Sequence, residues 1–63
     1  MNFKQNLKQI RKSKGLTQEE LANLVETKYA NIRDYEQGRT EPKFATLEKI
    51  KIALECSYDD LLS

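Results

Sequence analysis

Sixty-three residues make one domain at most, and a chain of that size buries only about 60% of the surface its unfolded form exposes, so its core is small and no deep pocket is expected. One cysteine, Cys56, and no histidine exclude an intramolecular disulfide, a Cys/His zinc site and a histidine general base. Eleven Lys and Arg against ten Asp and Glu leave a formal net charge of +1, so the placement of charge, not its total, has to decide whether the chain meets an anionic partner.

The chain turns amphipathic directly after Met1, with nothing resembling a signal sequence, and no apolar run approaches the roughly 18 residues of a membrane span. The expected setting is therefore cytoplasmic, without a membrane partner. Phe3, Leu7 and Ile10 fall at i, i+4 and i+7, and Gly15 follows where a left-handed residue ends a helix, which predicts a first helix over roughly residues 3 to 14. Lys4, Lys8, Arg11, Lys12 and Lys14 make that segment basic, whereas Glu19, Glu20 and Glu26 make the next one acidic. A solvated helix surface accounts for most such charges.

Thr17-Gln18-Glu19-Glu20 has the form of a capping box, in which the Thr17 hydroxyl accepts from the Glu20 amide while the Glu20 carboxylate reaches back. The second helix that starts there turns Leu21, Ala22 and Val25 inward and leaves Leu24 off that face. It is short, because Glu26-Thr27-Lys28 interrupts the pattern before Ile32 and Tyr35 resume it in a third helix. Gln37-Gly38-Arg39-Thr40-Glu41-Pro42 is a loop, since Gly38 can stop a helix and Pro42 disfavours helical geometry at Glu41. Phe44, Leu47, Ile50, Ala53 and Leu54 then repeat at three- and four-residue steps, giving a fourth helix near residues 45 to 55. Ser57 can cap a last short helix whose Asp59 and Asp60 suit its positive end, with Leu61 and Leu62 free to pack back on the core. No repeat, low-complexity tract or linker divides residues 1–63, so the expected architecture is a single, compact, all-α domain of five helices.

Helix, tight turn, helix is a unit that can lay its second helix in the roughly 12 Å wide major groove of duplex DNA. On the third helix, about residues 28–36, Ile32 and Tyr35 define the buried side. Steps of about 100° per residue then leave Ala30, Arg33 and Asp34 outward, Asn31 at the flank and Tyr29 at the exposed N-terminal edge. Leu16-Thr17-Gln18-Glu19-Glu20-Leu21-Ala22, then Ile32, Glu36-Gln37-Gly38-Arg39, Pro42 and Thr46-Leu47-Glu48-Lys49-Ile50 resemble, over nearly the whole chain, the phage-repressor and Cro-type (XRE-like) helix-turn-helix family.

That resemblance implies a lambda-repressor-like DNA-binding domain whose helix-turn-helix is formed by helices 2 and 3. It implies a repressor-like transcriptional regulator that binds a two-fold symmetric site in double-stranded DNA as a homodimer, with recognition helices about 34 Å apart. Tyr29, Ala30, Asn31, Arg33 and Asp34 would read base edges. Thr17, Gln18, Lys28, Gln37, Arg39, Thr40 and Lys43 would meet phosphates, Gln18 at the start of a helix whose amides also attract anions. Arg11 and Glu36 would form a partly buried structural ion pair between helices one and three. No catalytic residue, metal, cofactor or small-molecule substrate is implied. Tyr58, Leu61 and Leu62 are the candidate dimer interface, unless the core takes them. The chain fits a complete small regulator and equally the N-terminal part of a longer one.

Three residues depart from the family pattern. Glu26 stands where glycine is common, at a left-handed position that costs a non-glycine residue roughly 1–2 kcal/mol. Lys28 cannot accept the amide proton that a Ser or Thr cap would accept. Asp34 carries negative charge toward DNA, where it either accepts from a cytosine amino group or repels other sequences. Blander readings stand beside the functional ones: Gln18 as a plain helix residue, Tyr29 as local packing, and Arg33, Asp34, Arg39 and Lys43 as solvated charge. Low net charge, Asp34 and exposed Leu24 also fit a second function, a protein-interaction module of the same fold, antitoxin-like or anti-repressor.

Overall fold

The computed structural model describes residues 2–63 and contains five helices: α1 (Phe3–Ser13), α2 (Gln18–Val25), α3 (Tyr29–Gln37), α4 (Phe44–Leu54) and α5 (Tyr58–Leu62), with no strand among the described residues. Met1, the first residue of the expected domain and of the expected amphipathic start, lies outside that range. The all-α, five-helix architecture read from the hydrophobic periodicity is thus the one observed, with the bounds of the first, third and fourth helices shifted by one residue.

Each helix sends at least one side chain to full burial: Leu7 from α1, Leu21 from α2, Ile32 from α3, Ile50 and Leu54 from α4, and Leu61 from α5. Full burial of such a side chain contributes about 1.5–3 kcal/mol. α3 is wedged against both α1 and α2, α4 closes over α2, and α5 folds back on α1. The Asn6 carboxamide fixes that last contact by donating to the Leu61 carbonyl at 3.0 Å.

The fold corrects part of the expected dimer interface. Leu61 is 0% exposed and belongs to the core, so it offers no free surface, whereas Tyr58 and Leu62 both remain partly open, Leu62 with one side packed against the core. Two adjacent leucines in a five-residue helix cannot both point outward once that helix docks on α1. Phe44 breaks the other way. It counts in the apolar repeat of α4, yet at the helix's first position it is 69% exposed and its ring lies 6.0 Å from that of Tyr58. Cys56 packs against the core half-buried. Burial pushes its thiol up, and the Asp60 carboxylate pushes it the same way.

Four connections close in one manner. Gly15, Glu26, Gly38 and Glu55 all adopt left-handed backbone, with φ of 73°, 61°, 76° and 52°. The next amide then reaches back five residues, Leu16 to Arg11, Thr27 to Ala22, Arg39 to Asp34 and Cys56 to Lys51, at 2.9–3.2 Å. Helix starts rely on two capping boxes. At Thr17–Glu20 the reciprocal bonds measure 2.9 and 3.0 Å, and at Ser57–Asp60 they measure 3.1 and 3.0 Å. The Ser57 bonds hold the Asp60 carboxyl below the usual range.

Glu26 carries the left-handed strain expected of it. Relief of about 1–2 kcal/mol outweighs the roughly 0.4–1 kcal/mol by which glycine loosens the unfolded chain. The exposed Glu26–Lys49 pair at 3.5 Å contributes little against this. Glu26→Gly is therefore expected to raise the melting temperature by a few degrees, at about 4–8 °C per kcal/mol for a domain this small. A calorimetric scan showing a lower melting temperature would refute the strain.

Candidate nucleic-acid interface

Glu26, Thr27 and Lys28 join α2 to α3, and α3 then presents two unlike sides. Ile32 and Tyr35 face the core at 0% and 8% exposure. Burial pushes the Tyr35 phenol up, so its hydroxyl remains a neutral donor. On the other side Tyr29 is 47% exposed, Asn31 is exposed, and Ala30, Arg33 and Asp34 are half-buried. The helical period explains this division, since residues 29, 30, 33 and 34 recur on one face while 32 and 35 take the opposite one.

Three of the five candidate base-reading residues are brought together. Arg33 Nε donates to Asp34 Oδ1 at 3.2 Å, and the guanidinium carbon lies 5.9 Å from the centroid of the Tyr29 ring. Aromatic face and carboxylate together hold the arginine in one orientation on a helix surface. Asn31 is engaged elsewhere: its Nδ2 donates to Thr27 Oγ1 at 2.8 Å, bracing the turn into α3. Lys28 occupies the N-cap of α3 in extended backbone with no side-chain cap bond, as its chemistry requires. The Tyr29 and Ala30 amides thereby stay open to an outside acceptor, while the Asn31 amide donates to the Lys28 carbonyl at 3.0 Å.

Under this surface lies a polar core built on Arg11 and Glu36, whose side chains are 8% and 3% exposed. Arg11 Nε and Nη2 donate to the two Glu36 oxygens at 2.6 and 3.1 Å, while Nη1 donates to the Leu16 carbonyl at 2.6 Å. Gln18 Nε2 adds a third bond to Glu36, at 3.0 Å to Oε1. No buried side-chain polar atom among the described residues lacks a partner. The Gln18 bond to Glu36 is absent from the sequence reading, because a helix-start signal carries no information about a partner on another helix. It leaves the carboxamide oxygen and one amide hydrogen of Gln18 uncommitted.

The remaining candidates form two flanks. At the start of α2, Thr17, Gln18, Glu19, Glu20, Asn23 and Tyr29 line one shallow hollow, so the candidate phosphate ligands of α2 adjoin the outer face of α3. Beyond the end of α3, Gln37, Arg39, Thr40 and Lys43 are all exposed in or beside the connection to α4. Lys43 is the N-cap residue of α4 and makes no side-chain cap bond. The described residues contain no cluster of three or more potential metal ligands, and no helix is long and apolar enough to cross a membrane.

Comparison with known proteins places this geometry in a wider set. The model of a helix-turn-helix family matches residues 7–61. Over 60 residues the chain is 40% identical to the uncharacterized HTH-type transcriptional regulator YqaE of Bacillus subtilis (strain 168), covering 95% of this chain and 52% of that protein. It is 35% identical over 63 residues to the HTH-type transcriptional activator BcrR of Enterococcus faecalis, covering 100% of this chain and 31% of that one. The chain thus spans about half, or less, of the length of these two relatives. The crystal structure of the restriction-modification controller protein C.AhdI from Aeromonas hydrophila superposes with a TM-score of 0.90 at 30% identity, covering 95% of this chain and 91% of that one.

Proposed function

Because the chain belongs to the phage-repressor and Cro-type helix-turn-helix DNA-binding family, we propose that it binds double-stranded DNA as a transcriptional regulator, with α3 in the major groove. The observation that carries this reading is the outer face of α3. It stays partly open to solvent, holds an arginine between Tyr29 and Asp34, and has exposed Lys28 at its start and exposed Arg39 and Lys43 beyond its end. Tyr29, Ala30, Arg33 and Asp34 meet base edges. Asn31 stiffens the turn and reaches the groove wall. Thr17, Gln18, Lys28, Gln37, Arg39, Thr40 and Lys43 meet the phosphates on either side, Gln18 through the amide hydrogen that Glu36 leaves unused.

The regulator acts as a homodimer on a two-fold symmetric site. Its interface is drawn from Tyr58 and Leu62 together with Phe44 and Ile52, which are 69% and 66% exposed, in place of the buried Leu61. Large apolar side chains at that exposure support a covered surface. They equally support a protein-interaction module of the same fold. A stoichiometric protein complex that persists without DNA, from a chain with no affinity for any duplex, would establish that alternative.

Selection from a random duplex pool, followed by anisotropy titration of the enriched sequence, tests the regulator reading; failure to enrich any sequence at low salt rejects it. Phosphate contact by Lys43 predicts a further result. Lys43→Ala is expected to weaken binding to every duplex alike and to reduce the slope of log K against log salt by about one unit. An unchanged slope removes Lys43 from the interface.

A further inference from the structure

An open hollow of about 370 Å³ lies where the start of α1 meets the end of α3, bordered by Lys4, Tyr35, Gly38, Arg39, Thr40 and Glu41. Gly38 allows the two helices to meet here. A Cβ at that position would lie 2.9 Å from Lys4 Cδ and 3.5 Å from Lys4 Nζ, so the lysine side chain runs across the glycine with its ammonium beside the left-handed turn. Neither Lys4 nor Arg39 forms an ion pair among the described residues, although Glu41 stands on the same rim. Tyr35 is only 8% exposed and borders the hollow. Its hydroxyl has no hydrogen-bond partner among the described residues, and no fully buried side-chain polar atom among them is unpartnered, so that oxygen keeps some exposure on a residue that borders the hollow.

Helix stability gives no reason for Lys4 to be there. The first turn of α1 holds no acidic residue, and a cation in that turn opposes the helix dipole. Two unpaired cations and one phenol instead border a single hollow that also includes Thr40, in the connection proposed to follow the DNA backbone. We propose that Lys4, the Tyr35 hydroxyl and Arg39 seat one phosphodiester of bound DNA, extending the interface from the helix-turn-helix to α1. This rests on the DNA-binding reading above. The chemistry suits a singly charged diester: the cations supply charge, and the phenol supplies a directional donor that bears no charge of its own.

The test is a salt series with a fluorescent mixed-sequence duplex, applied to the unmodified chain, Lys4→Gln, Tyr35→Phe and Glu41→Gln, each checked for an unchanged circular dichroism melt. Lys4→Gln is expected to lower the salt slope by about one unit. Tyr35→Phe keeps the packed ring and is expected to weaken binding roughly threefold to tenfold at an unchanged slope. Glu41→Gln, which removes a like charge from the rim, is expected to tighten binding. If the unmodified chain holds duplex and Lys4→Gln keeps its slope, the seat is overturned while the functional reading stands. If the unmodified chain holds no duplex at low salt, both fall. Inorganic phosphate that binds the unmodified chain but not Lys4→Gln, while both chains hold duplex with the same salt slope, would assign the hollow to free anions and overturn its assignment to DNA.

Discussion

Glu36→Ala is expected to cost about 3–5 kcal/mol of folding stability, because it leaves the Arg11 guanidinium buried with only the Leu16 carbonyl as partner and strips Gln18 of its tie to α3. A single core of this size supplies roughly 3–5 kcal/mol in total, so the variant should be largely unfolded at 25 °C. Urea denaturation followed by circular dichroism measures this. A transition midpoint close to that of the unmodified chain would show that water or a shifted side chain compensates, and the network would lose its assigned role. Replacing both partners with apolar residues, Arg11→Met with Glu36→Leu, should recover most of the loss, since two buried charges are then removed together. The same arithmetic governs how DNA-binding variants are read. Loss of binding in Glu36→Ala reports an unfolded chain, whereas the partly exposed Arg33–Asp34 pair and the exposed Glu26–Lys49 pair contribute at most about 1 kcal/mol to folding, so their variants can be tested folded.

How much of this was legible in the sequence follows the range of each interaction. Thr17 and Glu20 are three residues apart, and their capping box can be written down before any fold is known. Gly15 and Gly38 mark helix ends through their own backbone freedom. Glu55 ends α4 in the same left-handed conformation without that signal, because docking of Ser57 and α5, not local preference, turns the chain there. The inward side of α3 was visible in its period. What binds Gln18, and where the Lys4 side chain lies, was not: Glu36 and Gly38 reach them only after α1, α2 and α3 have packed. Phe44 left the surroundings its apolar repeat suggested, and Leu61 took the core, one of the two places its sequence context left open, since what covers or bares these side chains is set by the docking of α4 and α5.

Arg33 gives the largest expected effect on recognition. Its guanidinium already lies against the Tyr29 ring at 5.9 Å, with Nε on Asp34 Oδ1 and Nη2 within 3.2 Å of the same oxygen. Little side-chain freedom is therefore left to lose on binding, while the Nη1 edge and the second Nη2 hydrogen point away from Asp34 as a forked donor suited to the O6 and N7 acceptors of guanine. Arg33→Ala is expected to weaken the preferred duplex by about 1–3 kcal/mol and to relax base choice at one position. Asp34→Ala should act differently. Removing its charge strengthens binding to random duplex, while losing its hold on the guanidinium lowers the ratio of preferred to random affinity. Anisotropy titrations of the selected duplex, its single-base variants and a random pool separate the two effects. Uniform weakening by Arg33→Ala across all of them, with a reduced salt slope, would make Arg33 a phosphate ligand and leave base reading on α3 to Tyr29 and Ala30.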